Sequence, residues 1–206
     1  TFYGHVAVAD WNEDGQPDLL AVQGGERGGV ELYLNTGAPG KPTFCDGDAA
    51  GFGVFQQGAL LTVTGGEPIR DKIGFKGGLS VADWDRDGRP DLLLGNSNGE
   101  VWLYRNTGVK GRPALEKPVA LNCNGRTQLG DSVAAIPTAA DWDGGGRMDL
   151  FVVDWSGKLR LYLGKGAGGE TALVPYDGQS GLLPFTFQRG RGGSLALTDW
   201  DGNGAP

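Results

Sequence analysis

The chain has 206 residues, of which 39 are glycine, and a formal net charge of −7 at pH 7. This length can bury a sizeable core, and short apolar runs separated by glycine-rich turns predict an all-β protein. The acidic balance argues against nucleic-acid binding, because no basic stripe is available to displace counterions from phosphates. No run approaches the roughly 18 apolar residues of a membrane-spanning helix. The chain opens at Thr1 without a signal peptide, so we expect a mature or excised segment of a secreted or cell-surface protein.

Four segments repeat one pattern along the chain. They read VAVADWNEDGQPDLLAV, LSVADWDRDGRPDLLLG, PTAADWDGGGRMDLFVV and LALTDWDGNGAP, and their first aspartates are 73, 58 and 58 residues apart. A repeat of this length, with several strand-like runs in each copy, is typical of a β-propeller blade.

Each repeat begins with an apolar strand, such as residues 79–82, that leads into an Asp-rich loop. A continuous apolar run, residues 92–94, leaves the loop and indicates a strand buried on both faces. The third strand alternates, so Arg160 and Tyr162 should point to the opposite face from Leu159, Leu161 and Leu163. A fourth, outer strand is predicted near residues 42–44 in the first repeat and near 119–121 in the second.

We therefore predict a β-propeller of four-stranded antiparallel blades that begin near residues 5, 78, 136 and 194. The first repeat is longer because residues 46–77 form an inserted loop or hairpin. About three and a fraction blades cannot close a ring, since propellers usually have about 4–8 blades. We expect a larger propeller, of seven blades, whose ring is closed by further blades of the same chain or by other subunits.

The loop after each first strand follows the pattern D-x-[DN]-x-D-G-x-x-D. Alternate carboxylates on a sharply curled loop suit calcium, which takes six to eight oxygen ligands, and the sixth-position glycine permits the turn. We predict three to four calcium sites, one per blade, with backbone carbonyls at the seventh position. The predicted positions are Asp10, Asn12, Asp14, Gln16 and Asp18; Asp83, Asp85, Asp87, Arg89 and Asp91; Asp141, Asp143, Gly145, Arg147 and Asp149; and Asp199, Asp201 and Asn203.

The four loops are unequal. The second has all four carboxylates, whereas the first carries the neutral Asn12 and the third has Gly145 in place of an acid. We expect weaker binding, or a water ligand, in the third loop. The fourth ends before its ninth position.

An EF-hand is excluded, because its loop needs an acid at position 12 and a helix on each side. Those positions are Ala21, Leu94 and Val152, and both flanks have strand patterns.

The combination VADWDRDGRPDLLLG and GEVWLYRNTG resembles the FG-GAP/VCBS repeat family, which also occurs in integrin α-subunit heads. The resemblance implies a β-propeller with calcium between the first two strands of each blade. The ligands that it implies are Asp10, Asn12, Asp14 and Asp18; Asp83, Asp85, Asp87 and Asp91; and Asp141, Asp143 and Asp149. Members of the family include adhesion proteins, lectins and some polysaccharide lyases, so the resemblance implies a fold and a metal without fixing a function.

Several other side chains have candidate roles. Cys45 and Cys123 are either a disulfide between neighbouring blades or two free thiols, and His5 is expected to be structural. The tryptophans that follow the first aspartates, and the tyrosines that share a position on the third strand, should pack between blades. Two less regular tryptophans could stack on sugar rings. These sets are Trp11, Trp84, Trp142 and Trp200; Tyr33, Tyr104 and Tyr162; and Trp102 and Trp155.

The function expected from the sequence is that of an extracellular binding or adhesion module for carbohydrate or a protein partner, with calcium in a structural role. Two alternatives remain open. One is a polysaccharide lyase acting on acidic glycans, which needs a base and a cation near a uronate. The other is a structural subunit of an extracellular assembly.

Overall fold

The computed structural model describes residues 5–23, 28–46, 54–55, 58–69, 77–130, 134–166, 171–187 and 194–198. Within these ranges the secondary structure consists of β-strands, with no helix and hence no helix that could cross a membrane. The prediction of an all-β chain is confirmed for this part of the sequence.

The first sheet is antiparallel and is followed by an inserted hairpin. Its strand order is β1-β2-β3-β6, and β4 pairs with β5 in the insertion. The six strands are β1 (His5–Ala9), β2 (Asp18–Gln23), β3 (Gly29–Tyr33), β4 (Cys45–Asp46), β5 (Val54–Phe55) and β6 (Ala59–Leu60).

The outer strand of this sheet was wrongly predicted at residues 42–44. Those residues lie in a tight turn, where Thr36 N–H donates to the Thr43 carbonyl and Lys41 N–H to the Ala38 carbonyl. Because the turn satisfies its own backbone groups, β3 takes its partner from the insertion instead, with Glu31 opposite Leu60.

The second sheet is a four-stranded antiparallel unit in the order β7-β8-β9-β10. All five residues of β8 are buried, which confirms the expectation from its apolar run. The predicted outer strand is also present, as β10. The strands are β7 (Leu79–Ala82), β8 (Asp91–Gly95), β9 (Val101–Tyr104) and β10 (Val119–Ala120).

The third sheet combines strands from two repeats. β11 follows β10 in the chain but pairs in parallel with β15, and β16 pairs with β14 beside β15. The strands are β11 (Asn122–Cys123), β12 (Ala135–Ala140), β13 (Asp149–Asp154), β14 (Lys158–Gly164), β15 (Ala172–Pro175) and β16 (Leu182–Thr186).

The first strands of the repeats lie around one shared cavity. Residues from β1, β7, β12 and the segment 194–197 line a space of about 380 Å³. The innermost strands of propeller blades line a central space in the same way. The described ranges do not form a closed ring, and the total number of blades stays a prediction.

The hydrophobic core consists of layers between neighbouring sheets. Trp11 and Leu20 of the first repeat pack with Leu92 and Tyr104 of the second. The other face of β8 presents Leu93 to a second layer. β8 is apolar throughout because it supplies side chains to both layers.

The second layer contains Trp84 together with Leu150, Val152 and Tyr162 of the third repeat. The predicted packing of the repeat tryptophans between sheets is therefore confirmed for Trp11 and Trp84. Trp142 departs from this pattern, because it is 43% exposed and contacts Phe151 of its own sheet edge-on, with ring centroids 5.3 Å apart.

The predicted alternation of the third strand is confirmed, because Leu159 and Leu161 lie in a different core layer from Tyr162. Arg160 and Tyr162 are nevertheless both only 5% exposed. Tyr162 lies in the layer shared with the second sheet. Arg160 is compensated by an ion pair with the buried Asp154, Nη1 to Oδ2 at 2.9 Å. Alternation places the side chains of β14 on two faces of the sheet, and the neighbouring repeat buries the second face as well.

Candidate metal centres

Three Asp-rich loops occupy equivalent places, between the first and second strands of the three sheets. We name them loop one (residues 10–18), loop two (83–91) and loop three (141–149). Their fourth residues adopt the left-handed conformation, although two of them are not glycine. The φ values are 60°, 60° and 67° at Glu13, Arg86 and Gly144, and the sixth-position glycines follow with 93°, 88° and 76° at Gly15, Gly88 and Gly146.

The ninth-position aspartate ties each loop to its sheet. In loop two, Asp91 Oδ2 accepts from Trp84 N–H at 2.9 Å and Oδ1 accepts from Asn106 N–H at 2.7 Å. Asp18 and Asp149 make the equivalent pairs of bonds in the other loops. The start of each loop is thereby fixed to the end of the third strand.

Carboxylates converge in two of the three loops. Asp83, Asp85 and Asp91 each offer an oxygen that lies within 4.8 Å of the others, and loop three forms a matching group. The loop-three group is Asp141, Asp143 and Asp149.

Two other predicted positions, Asp87 and Gly145, are not members of these carboxylate groups. Asp87 caps its own turn by accepting from Arg89 N–H at 2.9 Å and also contacts the Arg89 guanidinium. At Gly145, an added Cβ would lie 2.6 Å from Asp143 Oδ1, so a side chain fits at this position only if Asp143 moves.

In loop one the side chains of Asp10 and Asn12 are hydrogen-bonded within the loop. Asp10 accepts from Asp14 N–H at 2.9 Å and from Gly15 N–H at 2.8 Å. The Asn12 amide accepts from Asp14 N–H and donates to Asp14 Oδ2, both at 3.0 Å. Among the described residues, the three aspartates of this loop form no converging group of the kind seen in loops two and three.

Loops two and three each leave one buried carboxylate oxygen without a hydrogen-bond partner, Asp85 Oδ1 and Asp141 Oδ1. In loop three the cause is the change at the fifth position: Gly145 N–H donates to Asp143 at 2.8 Å instead of to Asp141. A buried, unsatisfied carboxylate oxygen is costly, and a bound cation would satisfy it. The donor sets of both loops therefore fit a hard divalent cation.

Burial raises the pKa of four carboxyl groups in the loops. For Asp91 it raises the pKa to about 6, although the hydrogen bonds from Asn106 and Trp84 oppose the shift. Burial and the neighbouring Asp87 raise the pKa of Asp85, which Arg105 opposes. The pKa of Asp149, like that of Asp18, is also raised by burial. A cation would favour the ionised forms that burial disfavours.

The repeat pattern did not identify two arginines that lie in or beside the Asp-rich loops. Arg86 Nη2 in loop two lies 2.6 Å from Asp141 Oδ2 in loop three. Arg105 follows β9 and acts electrostatically on Asp85, while Leu34 and Leu163 occupy the same repeat position. The sequence shows arginine where the other two repeats have leucine, but it does not show that Asp85 lies nearby.

Arg89 and Arg147 were predicted to contribute only backbone carbonyls. Their side chains also brace the sheets, because Arg89 Nε donates to the Asn106 carbonyl at 2.8 Å and Arg147 Nε to the Gly164 carbonyl at 3.1 Å. The sequence signal for this structural role is the arginine at the seventh position of both loop two and loop three.

The remaining candidates lie away from the loops. Trp102 is half-buried against the first core layer, with Nε1 3.3 Å from Glu100 Oε2, and Trp155 is half-buried in the turn after β13. His5 lines the shared cavity, and burial lowers its pKa. Cys123 is a free thiol. The other predicted positions lie outside the described residues, namely the side chain of Cys45 and all of Asp199, Trp200, Asp201 and Asn203.

Residues 83–152 match the family model of the FG-GAP-like repeat. The predicted FG-GAP resemblance is confirmed over this segment. It begins at the first aspartate of loop two, contains all of loop three and ends within β13. No curated protein matches the chain.

Proposed function

We propose that this chain is part of a calcium-binding, propeller-type binding module of an extracellular or cell-surface protein. The FG-GAP-like match supports a module of this type. The proposed partner is a carbohydrate or an extracellular protein, and the proposed role of calcium is structural. Further blades, from the same chain or from other subunits, would complete the ring.

The observation that carries the metal proposal is the state of Asp85 in loop two. Its Oδ1 atom is buried without a hydrogen-bond partner, inside a group of three carboxylates that lie within 4.8 Å of one another. The loop offers oxygen donors and no histidine or cysteine, which favours calcium over zinc. Calcium also tolerates irregular coordination, whereas magnesium demands a near-ideal octahedron.

We propose that Asp83, Asp85 and Asp91 hold calcium in loop two, and that Asp141 and Asp149 do so with Asp143 in loop three. Calcium supplies the positive charge that permits the buried Asp91 and Asp149 to stay ionised. Since Asp91 already joins the loop to the third strand, ordering the loop also stabilises the contact between β8 and β9. An ion that binds only the folded state raises the free energy of unfolding.

Calcium titration of the metal-free chain tests this proposal, with magnesium as the matched control ion. We expect saturable binding by calorimetry and a marked rise in melting temperature with calcium. Magnesium at the same concentration should have a much smaller effect. A melting curve that is identical with and without calcium would contradict the metal proposal.

The partner is tested separately, on a glycan array probed in calcium and in chelator. Retention of the chain on one class of glycan supports a carbohydrate-binding module. Release of unsaturated sugars that absorb in the ultraviolet would instead identify a lyase.

A further inference from the structure

A polar cavity of about 440 Å³ lies beside β14, and none of its lining residues belongs to the Asp-rich loops. We call it the β14 cavity. Arg126 and Gln128 line it from the segment after β11, Arg160 from β14, and Gln179 and Ser180 from the turn before β16. Its volume is within the range of about 300–1,000 Å³ that is common for small-molecule sites.

The charge of the β14 cavity differs from that of the whole chain. None of its lining residues is an aspartate or a glutamate, although the chain has a net charge of −7. Arginine is well suited to carboxylates, because its planar guanidinium can donate two parallel hydrogen bonds. The cavity therefore offers cationic and amide donors to an anionic group.

The Arg160 wall of the cavity is fixed in place. Arg160 is 5% exposed, and its guanidinium donates to Asp154 Oδ2 at 2.9 Å. Asp154 is in turn held by the N–H groups of Ser156, at 2.9 Å, and Lys158, at 3.2 Å. Since Asp154 compensates the charge of Arg160, the exposed Arg126 supplies the additional positive charge at the rim.

The other walls are also ordered before any ligand binds. Tyr162 is anchored because its hydroxyl donates to the Leu129 carbonyl at 2.7 Å. In the turn, Asp177 accepts from the N–H groups of Gln179, at 2.9 Å, and Ser180, at 2.8 Å. These bonds, with a further one from Gly181 N–H, lower the pKa of Asp177 and keep it ionised. These bonds fix the backbone that carries the lining residues, and walls that are already ordered reduce the entropy lost on binding.

We propose that the β14 cavity binds an acidic sugar, a uronic acid unit of a glycan. Arg126 binds the carboxylate at the rim, and the side chains of Gln128 and Gln179 bind the ring hydroxyls. The proposal rests on the carbohydrate-binding function proposed above, and names its site and the class of sugar.

The test uses the full chain in saturating calcium, with digalacturonic acid as the probe and binding measured by calorimetry. Lactose is the neutral control sugar, and inorganic phosphate is the control for binding of any anion. Arg126→Ala removes the rim charge and Gln179→Ala removes one amide. Arg112→Ala is the matched control, because Arg112 is exposed and does not line the cavity.

We expect saturable binding of digalacturonic acid, weakened about tenfold or more by Arg126→Ala and a few-fold by Gln179→Ala. Arg112→Ala should leave it unchanged, and lactose and phosphate should bind at least about tenfold more weakly. Alkylation of Cys123 tests independently where the sugar binds, because the Cys123 thiol lines the same cavity. Iodoacetamide labelling of Cys123, followed by peptide mapping, should slow in digalacturonic acid and should not slow in lactose.

The proposal is overturned if digalacturonic acid does not bind, if phosphate binds as tightly, or if Arg126→Ala and Arg112→Ala behave alike. Failure here and failure of the proposed function are distinguishable. Calcium that raises the melting temperature in a chain that binds lactose but not digalacturonic acid would leave the binding module in place and remove only this site.

Discussion

The guanidinium of Arg86 and the carboxylate of Asp141 connect two neighbouring Asp-rich loops, with Nη2 2.6 Å from Oδ2. The other oxygen of the same carboxylate, Oδ1, is buried and has no hydrogen-bond partner. Asp141 can therefore serve a cation of its own loop through one oxygen while the other remains bonded to the adjacent repeat. The positive charge of Arg86 in loop two therefore acts directly on the Asp141 carboxylate in loop three.

Removing this arginine should tighten calcium binding in loop three. Arg86→Ala deletes a positive charge beside a proposed calcium ligand, but the pair is partly exposed, with side chains 44% and 22% accessible. Exposed pairs contribute about 0.2–1 kcal/mol, so we expect an increase in affinity of up to about fivefold. Calorimetry in an Asp85→Asn background, which weakens loop two, isolates the effect. Unchanged or weaker binding would contradict the prediction, and Arg112→Ala is the control.

Asp85→Asn should have opposite effects with and without calcium. The substitution copies loop one, where Asn12 is satisfied by hydrogen bonds with Asp14. Without calcium it removes a buried, unsatisfied carboxylate, which costs about 1–3 kcal/mol, so the melting temperature should rise by about 2–10 °C. The further rise on adding calcium should be smaller than in the parent chain.

Thermal unfolding in calcium-free and calcium-containing buffer measures these two opposite effects on the melting temperature. The exposed acid Glu116 lies outside the loops, so Glu116→Gln is the matched control. Destabilisation of the variant without calcium would contradict the expected gain from removing the carboxylate. A full calcium response would show that Asp85 is not a ligand.

Arg105→Leu should strengthen calcium binding in loop two. Leucine is already present at this repeat position in the other sheets, as Leu34 and Leu163, so the change is compatible with the fold. The arginine acts electrostatically on Asp85 and therefore competes with a cation. We expect an affinity gain of about two- to tenfold, measured by calorimetry with Asp143→Asn in loop three. Equal affinities would mean that solvent screens Arg105 from the site.

The stability of the calcium-free chain should fall as the pH rises from about 4 to about 6. Burial raises the pKa of Asp91 from 3.8 to about 6, so in this window the unfolded chain releases a proton that the folded chain retains. This one group corresponds to a loss of about 3 kcal/mol across the window. The lowered pKa of His5 acts in the opposite direction, and calcium does not alter it.

Urea unfolding at several pH values, with and without calcium, measures this effect. Calcium keeps Asp91 ionised in the folded state, so the decline seen without calcium should disappear. Parallel pH profiles in the two buffers would refute the prediction.

Tyr162→Phe should destabilise the chain by about 1–2 kcal/mol, because it leaves the buried Leu129 carbonyl without the hydrogen bond that Tyr162 donates. Tyr176→Phe is the control, since Tyr176 is 55% exposed. Urea denaturation of both variants should show a lower midpoint for Tyr162→Phe alone. Equal midpoints would indicate that water replaces the tyrosine hydroxyl.

The repeat pattern predicted the parts of the fold that depend on local sequence. It located β7, β8 and the Asp-rich loops, because apolar runs and loop chemistry are properties of a single repeat. It could not locate β6, which is the counterpart of β10 but follows the longer connection of the first repeat. It also could not predict the burial of Arg160, which depends on Asp154 and on a neighbouring sheet. The positions of Arg86 and Arg105 near carboxylates likewise depend on distances between segments.

The parallel pairing of β11 with β15 has a practical consequence for dividing the chain. A cut at residue 136, where the third repeat begins, would remove β11 from the edge of the third sheet and take Arg126 and Gln128 from the β14 cavity. Among the described residues, the second repeat thus contributes a strand to the sheet of the third. We expect neighbouring sheets to unfold together, so the smallest transferable unit is a pair of repeats.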